Sequence, residues 1–131
     1  MAILYSDQDQ NTQAEEAYDE ALEIYQTLAK TNPDVYQPYV AMTLNNLAIL
    51  YSNQNQNTQA EEAYDEALEI RRTLVKTNAD VYGIDLANTL VMGVDLFNKP
   101  KSNLDEARRL LERFEPTARI QRLFSLIEQL E

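Results

Sequence analysis

The chain repeats itself, and this repeat restricts the possible folds more than any other feature. Residues 2–36 recur at residues 48–82, a shift of 46 positions, and 29 of the 35 aligned residues are identical. Repetition at a fixed period is typical of proteins in which each unit buries its apolar face against its neighbours. We therefore expect a stack of similar units, whose surface is better suited to binding than to catalysis.

The composition favours helices and removes the usual routes to chemistry. The 131 residues include only two glycines and four prolines, so little interrupts a helical backbone. Cysteine and histidine are both absent, which excludes disulfides, thiolate metal ligands and the commonest general base. We predict that the protein is not an enzyme and that it needs no cofactor or metal.

The acidic charge is concentrated in one half of the chain. Residues 1–66 hold twelve acids and one base, whereas residues 67–131 hold ten of each, and the net charge is −11. Nucleic acid is therefore not an expected partner, because phosphate binding needs a basic face. This asymmetry could steer head-to-tail neighbours or a basic ligand, although a well-solvated surface is the simpler explanation.

No apolar run approaches the roughly 20 residues of a membrane span. The N-terminus also lacks a basic segment followed by an apolar one, as a secretory signal would have. We expect no membrane partner and a cytoplasmic location.

Apolar residues at helical spacing predict helices at about 12–31, 37–53, 58–77, 80–97 and 102–114, and a last helix from Pro116. Their expected start signals are capping boxes at Thr12–Glu15 and Thr58–Glu61, Pro38 in a first turn, and Asp80 as an N-cap. The whole chain then forms one domain of helical hairpins, each a helix A followed by a helix B. The units cover about 1–33, 34–79 and 80–115, and residues 116–131 form a capping helix.

The first unit is expected to be incomplete. Ala2 is the counterpart of Ala48, and only Met1 precedes it, so the first helix A is cut through its middle. The chain is then a fragment of a longer array or begins within a repeat. Part of the first helix B would be exposed, and we expect a second copy to cover it in a homodimer.

The repeated positions resemble the tetratricopeptide repeat. The residues that carry this resemblance are Leu47, Ala48, Tyr51, Ala60, Tyr64, Ala67 and Leu68, which recur as Met1, Ala2, Tyr5, Ala14, Tyr18, Ala21 and Leu22. The third unit matches loosely, through Val94, Phe97, Ala107 and Leu111, with a one-residue insertion. The resemblance implies an all-α solenoid of antiparallel hairpins in a right-handed superhelix, closed by a C-terminal capping helix.

The period of 46 residues exceeds the 34 of the common tetratricopeptide repeat, so longer helices are expected. The segment TLNNLAILY resembles the long-period variety found in kinesin light chains and bacterial repeat proteins.

The same resemblance implies a peptide-binding groove lined by helices A. Its candidate residues in this chain are Met42, Asn45, Asn46, Ile49, Asn53, Asn88, Val91, Met92 and Asp95. An asparagine amide both donates to and accepts from a peptide backbone, although Asn45 and Asn46 could equally serve within the fold. Neither recognisable helix A carries a lysine or arginine, so the carboxylate-clamp mode of the family is not expected.

The remaining conspicuous side chains have simpler explanations. Acids such as Glu15 and Asp19 are expected on an open, solvent-facing ridge. No loop encloses them there, so neither catalysis nor Ca²⁺ binding is expected of them. The tyrosines Tyr5, Tyr18, Tyr51 and Tyr64 stand at repeat positions and are expected to pack in the core.

We predict a protein–protein interaction scaffold that holds a peptide or partner helix. A self-assembling structural module is the alternative, and a ligand-sensing regulatory domain is a weaker third possibility.

Overall fold

A computed structural model of the chain describes residues 7–131, with side chains from Gln10 onward. This part of the chain forms six α-helices and no strand, which confirms the all-α prediction. The helices are α1 (Asp7–Thr31), α2 (Pro33–Asn53), α3 (Asn57–Thr77), α4 (Ala79–Phe97), α5 (Ser102–Leu111) and α6 (Ala118–Leu130). The half-helix predicted at Met1 and Ala2 lies outside the described residues, as does Tyr5.

Two compact units divide the chain, Met1–Glu66 and Ala67–Glu131. In the described part of the first unit, α1 packs against α2. Only Asn32 separates these helices, so the chain reverses direction and the two form an antiparallel hairpin. Asn55, with a φ of 62°, lies in the short turn that follows α2. Asparagine tolerates this left-handed backbone better than most residues do.

The second unit packs α4 against α5 and α6 around a continuous apolar core. Its most buried members come from these three helices and include Leu86, Leu90, Leu104, Leu111, Ile120 and Ile127. Asn98 ends α4 with a φ of 54°, and the next amide, of Lys99, donates to the carbonyl of Gly93. This is the left-handed ending typical of a helix C-terminus. The predicted C-terminal helix is present as α6.

Several predicted helix starts are wrong. Helix α1 already includes Asp7, five residues before Thr12, so Thr12 and Glu15 lie inside the helix and do not start it. Thr58 lies within the first turn of α3, where the carbonyl of Gln56 already accepts from the amide of Ala60. The polar segment before Thr12 contains no helix breaker, and α1 extends through it from Asp7, whereas the copy of this segment before Thr58 holds the turn at Asn55.

The start of α2 also differs from the prediction, because Pro33 rather than Pro38 occupies its first turn. Pro38 lies inside the helix and has no amide hydrogen to donate to the carbonyl of Asp34.

The later helices differ at their ends as well. The side chain of Asn78, not that of Asp80, caps α4, since it accepts from the amide of Val81 at 3.3 Å. Helix α5 ends at Leu111, three residues before the predicted Phe114. Thr117 caps α6 by accepting from the amide of Ile120 at 3.4 Å, so this helix begins after Pro116 and not at it.

Candidate functional site

One accessible strip runs along α2, a helix whose other faces are largely buried. Its members recur every three or four residues, the spacing of one helical face. They are Val35, Tyr39, Met42, Asn46, Ile49 and Asn53, named here the α2 stripe. The first three are exposed by 47%, 44% and 42%, so the N-terminal half of the α2 stripe is apolar and open. Asn53 is exposed at the other end, and Asn46 and Ile49 are half-buried.

A stack of two aromatic rings supports the exposed end of the α2 stripe. The rings of Tyr25 on α1 and Tyr39 on α2 lie 5.2 Å apart at an interplanar angle of 21°. Tyr36 lies 6.4 Å from Tyr39 in a tilted arrangement. Aromatic pairs of this kind hold large apolar surfaces in a defined orientation. The stack therefore presents Tyr39 to solvent in a fixed position.

The structure brings four of the five residues predicted from the second repeat together on the α2 stripe. Met42, Asn46, Ile49 and Asn53 lie on it, whereas Asn45 is buried beside it. Sequence reasoning missed Val35 and Tyr39. Continuing the spacing of the predicted residues towards the start of the helix would have found both.

The residues predicted on α4 fall in more varied surroundings. Asn88 is half-buried and Asp95 is exposed, but Val91 and Met92 are buried, with only 1% and 8% of their surface accessible. Side chains so enclosed offer almost no contact area to a ligand. The α4 residue equivalent to Val35 is Val81, and it is exposed as well.

A buried arginine distinguishes the second unit from the first. Arg71 is 7% exposed, and its guanidinium donates to the carbonyl of Asp85 at 3.2 Å and to the hydroxyl of Thr89 at 2.6 Å. Burial lowers the pKa of this guanidinium, and the negative charge of Asp85 opposes that shift. The Asp85 carboxylate accepts from Arg119 at 3.1 Å. These bonds satisfy a buried charge within the fold.

The described residues contain no group of three or more acidic, histidine or cysteine side chains arranged to hold a metal ion. Within the same part of the chain, no helix combines the length and apolarity needed to cross a bilayer.

The family model of the tetratricopeptide repeat matches residues 1–73, more than half of the chain. Searches of curated proteins and of solved structures found no match to the chain. The matched segment includes the first copy and most of the second, and α1 and α2 within it form an antiparallel pair of the kind this repeat requires. The chain belongs to the tetratricopeptide repeat family.

Proposed function

We propose that the protein is an interaction scaffold whose α2 stripe receives a peptide or a partner helix. Tetratricopeptide repeats generally mediate protein–protein interactions and are typically not catalytic. The observation that carries the proposal is the row of exposed apolar side chains on an otherwise buried helix. Val35, Tyr39 and Met42 form its apolar part. Water-exposed apolar rows of this kind mark interaction sites on soluble domains.

The polar half of the α2 stripe suits recognition of a polypeptide backbone. Asn46 and Asn53 each carry an amide that donates and accepts at the same time. A partner that lies along α2 would place apolar side chains against Tyr39 and Met42, and backbone groups near these two amides. Asn88 and Asp95 of α4 remain separate candidates within the second unit, and the buried Asn45, Val91 and Met92 are left out of the proposal.

The proposal is tested with peptides selected from a displayed random library against the intact protein. Their affinity is measured by fluorescence anisotropy for the wild type and for Met42→Asp. We expect a loss of about tenfold or more, because the substitution places a charge in the centre of the apolar contact. Ile24→Asp is the matched control, since Ile24 is an exposed apolar residue of α1 that lies outside the α2 stripe.

Equal affinities of Met42→Asp and wild type would exclude the α2 stripe as the binding surface. Equal losses in Met42→Asp and Ile24→Asp would indicate a general effect of added charge. Circular dichroism melting of each variant establishes that the helices remain folded.

One observation favours the alternative of self-assembly. Ala14, Ala17, Tyr18 and Ala21 on α1 are half-buried or exposed, whereas the identical repeat positions Ala60, Ala63, Tyr64 and Ala67 on α3 are buried. A second copy covering α1 would remove this difference and produce a homodimer. Sedimentation at several micromolar concentrations decides the matter, because a monomer throughout would exclude that assembly.

A further inference from the structure

A second depression lies in the first unit, on the side of α2 away from the α2 stripe. Its floor is apolar and is formed by Leu22 of α1 with Leu44, Leu47 and Tyr51 of α2. At about 100° per residue, these α2 positions point roughly 150° away from the α2 stripe. This depression, named here the acidic crevice, is therefore a separate surface.

Carboxylates surround the apolar floor. Asp19 on α1 and Glu62 and Glu66 on α3 line the acidic crevice, and all three side chains are exposed. Lys30 is the only base among residues 1–66, and it does not line the acidic crevice. The opening therefore combines an apolar surface with concentrated negative charge.

The negative charge near the acidic crevice affects the pKa of the Tyr51 phenol. Burial raises the pKa of Tyr51 above its ordinary value, and the carboxylates of Asp19 and Glu15 raise it further. A cationic group entering the acidic crevice would meet the carboxylate of Asp19.

The charge of the acidic crevice is not a general property of the repeat. With the one-residue insertion of the third unit, the counterparts of Glu62 and Glu66 are Arg109 and Arg113. The counterpart of Tyr51 is Phe97, which has no hydroxyl. Two of the three acidic rim residues are thus replaced by arginine, while Asp65, the counterpart of Asp19, stays acidic, so the repeat does not require the full acidic rim.

The acidic crevice has the size of a side-chain pocket. Its volume of about 240 Å³ is below the roughly 300–1,000 Å³ of most small-molecule sites.

A second, polar cavity of about 390 Å³ is lined by Asn11, Thr12, Glu15, Gln54 and Gln56. From Leu44 on α2 to Gln54 directly after its end, the helix axis rises about 15 Å, which is the span of four or five extended residues. Amides along this path are suited to hydrogen bonding with a peptide backbone.

We propose that the acidic crevice binds a short basic peptide segment in which one apolar side chain is flanked by lysine or arginine. The apolar side chain packs on Leu22 and Tyr51, the half-buried members of the floor, since Leu44 and Leu47 are buried. The flanking cations approach Asp19, Glu62 and Glu66. Charge complementarity with the acidic rim selects this partner over an acidic or neutral one. The inference concerns a different face from the α2 stripe and does not depend on what the α2 stripe binds.

The test uses the capped pentapeptide Lys-Lys-Leu-Lys-Lys in an amide NMR titration of the intact protein. At an ionic strength of about 10 mM, where the screening length is about 30 Å, we expect shifts at Leu22, Leu47 and Tyr51. Glu62→Gln combined with Glu66→Gln is expected to weaken binding about fivefold, because two charge contacts are lost.

The repeat supplies a matched control for this pair. Glu16 and Glu20 are the counterparts of Glu62 and Glu66 on α1, and both are exposed but do not line the acidic crevice. Glu16→Gln combined with Glu20→Gln removes the same charge and is expected to leave the affinity nearly unchanged. Two further peptides test the chemistry of the partner, Lys-Lys-Gly-Lys-Lys for the apolar anchor and Glu-Glu-Leu-Glu-Glu for the charge. Both are expected to bind at least threefold more weakly.

Equal weakening by the two double variants would overturn the proposal in favour of unspecific attraction. Undiminished binding of the glycine peptide would overturn the apolar anchor. Shifts at Met42 and Asn46 in place of Tyr51 would place the peptide on the α2 stripe, which overturns this inference but not the proposed function. A dimer of the free protein that Glu62→Gln and Glu66→Gln dissociate would identify a second copy as the occupant and would also overturn it.

Discussion

Residues 25 and 71 occupy the same position of the repeat, yet they make opposite kinds of contact. In the first copy, Tyr25 stacks on Tyr39. The counterparts in the second copy are Arg71 and Asp85, and the guanidinium donates to the Asp85 carbonyl and to Thr89. An apolar pair has thus been replaced by a polar one at both positions. The bond to Asp85 uses its backbone carbonyl, while the Asp85 carboxylate accepts from Arg119 and adds a negative charge near the guanidinium.

This arrangement predicts that Arg71→Ala is strongly destabilising. The substitution removes two bonds from a buried charged donor and leaves a cavity, so we expect the free energy of unfolding to fall by about 2–4 kcal/mol. The neighbouring Arg72 is the control. Its side chain is 40% exposed and pairs with Glu106 at 2.5 Å and 3.1 Å. Arg72→Ala should cost about 1 kcal/mol or less. Urea unfolding of both variants provides the comparison, and equal losses would contradict the structural role assigned to Arg71.

At the scale of helices, the sequence predicts which segments are helical better than where they begin. Periodic apolar positions identify all the described helices, because burial of one face is a property of many residues together. A helix start depends on one or two side chains, and several residues compete for that role. Asp80 and Asn78 are both plausible caps of α4, and only the backbone geometry selects Asn78. The same limit explains why Val35 and Tyr39 were missed, since Val35 lies before the predicted start of α2 at residue 37 and Tyr39 lies in the first predicted turn.

The caps of α2 and α4 allow a test within the repeat itself. Asn32 and Asn78 are counterparts and precede Pro33 and Ala79. The side chain of Asn78 accepts from an amide of α4, whereas that of Asn32 makes no capping bond. Asn78→Ala is therefore expected to lower the free energy of unfolding by about 1 kcal/mol, and Asn32→Ala by clearly less. Thermal unfolding monitored by circular dichroism measures both, and the reverse order would show that the observed cap does not stabilise α4.

At the scale of the whole molecule, the sequence predicts the charge distribution completely but the binding surfaces only in part. The excess of acids in residues 1–66 follows from counting residues. The grouping of Asp19, Glu62 and Glu66 around an apolar floor does not, because it depends on how three helices pack in the first unit. For the same reason, the burial of Val91 and Met92 could not be read from their helical spacing.

The charge distribution makes a prediction about stability in salt. Twelve acids and one base in residues 1–66 repel one another in the folded chain more than in the expanded unfolded chain. Salt screens this repulsion, so raising NaCl from about 10 mM to about 300 mM should increase the free energy of unfolding by about 1 kcal/mol. Urea unfolding at each salt concentration measures the change.

Glu16→Lys combined with Glu20→Lys reduces the acidic excess at exposed positions of α1, and the salt dependence of that variant should be shallower. A wild-type stability that is constant or falls with salt would show that the acidic charges are already compensated in the folded protein.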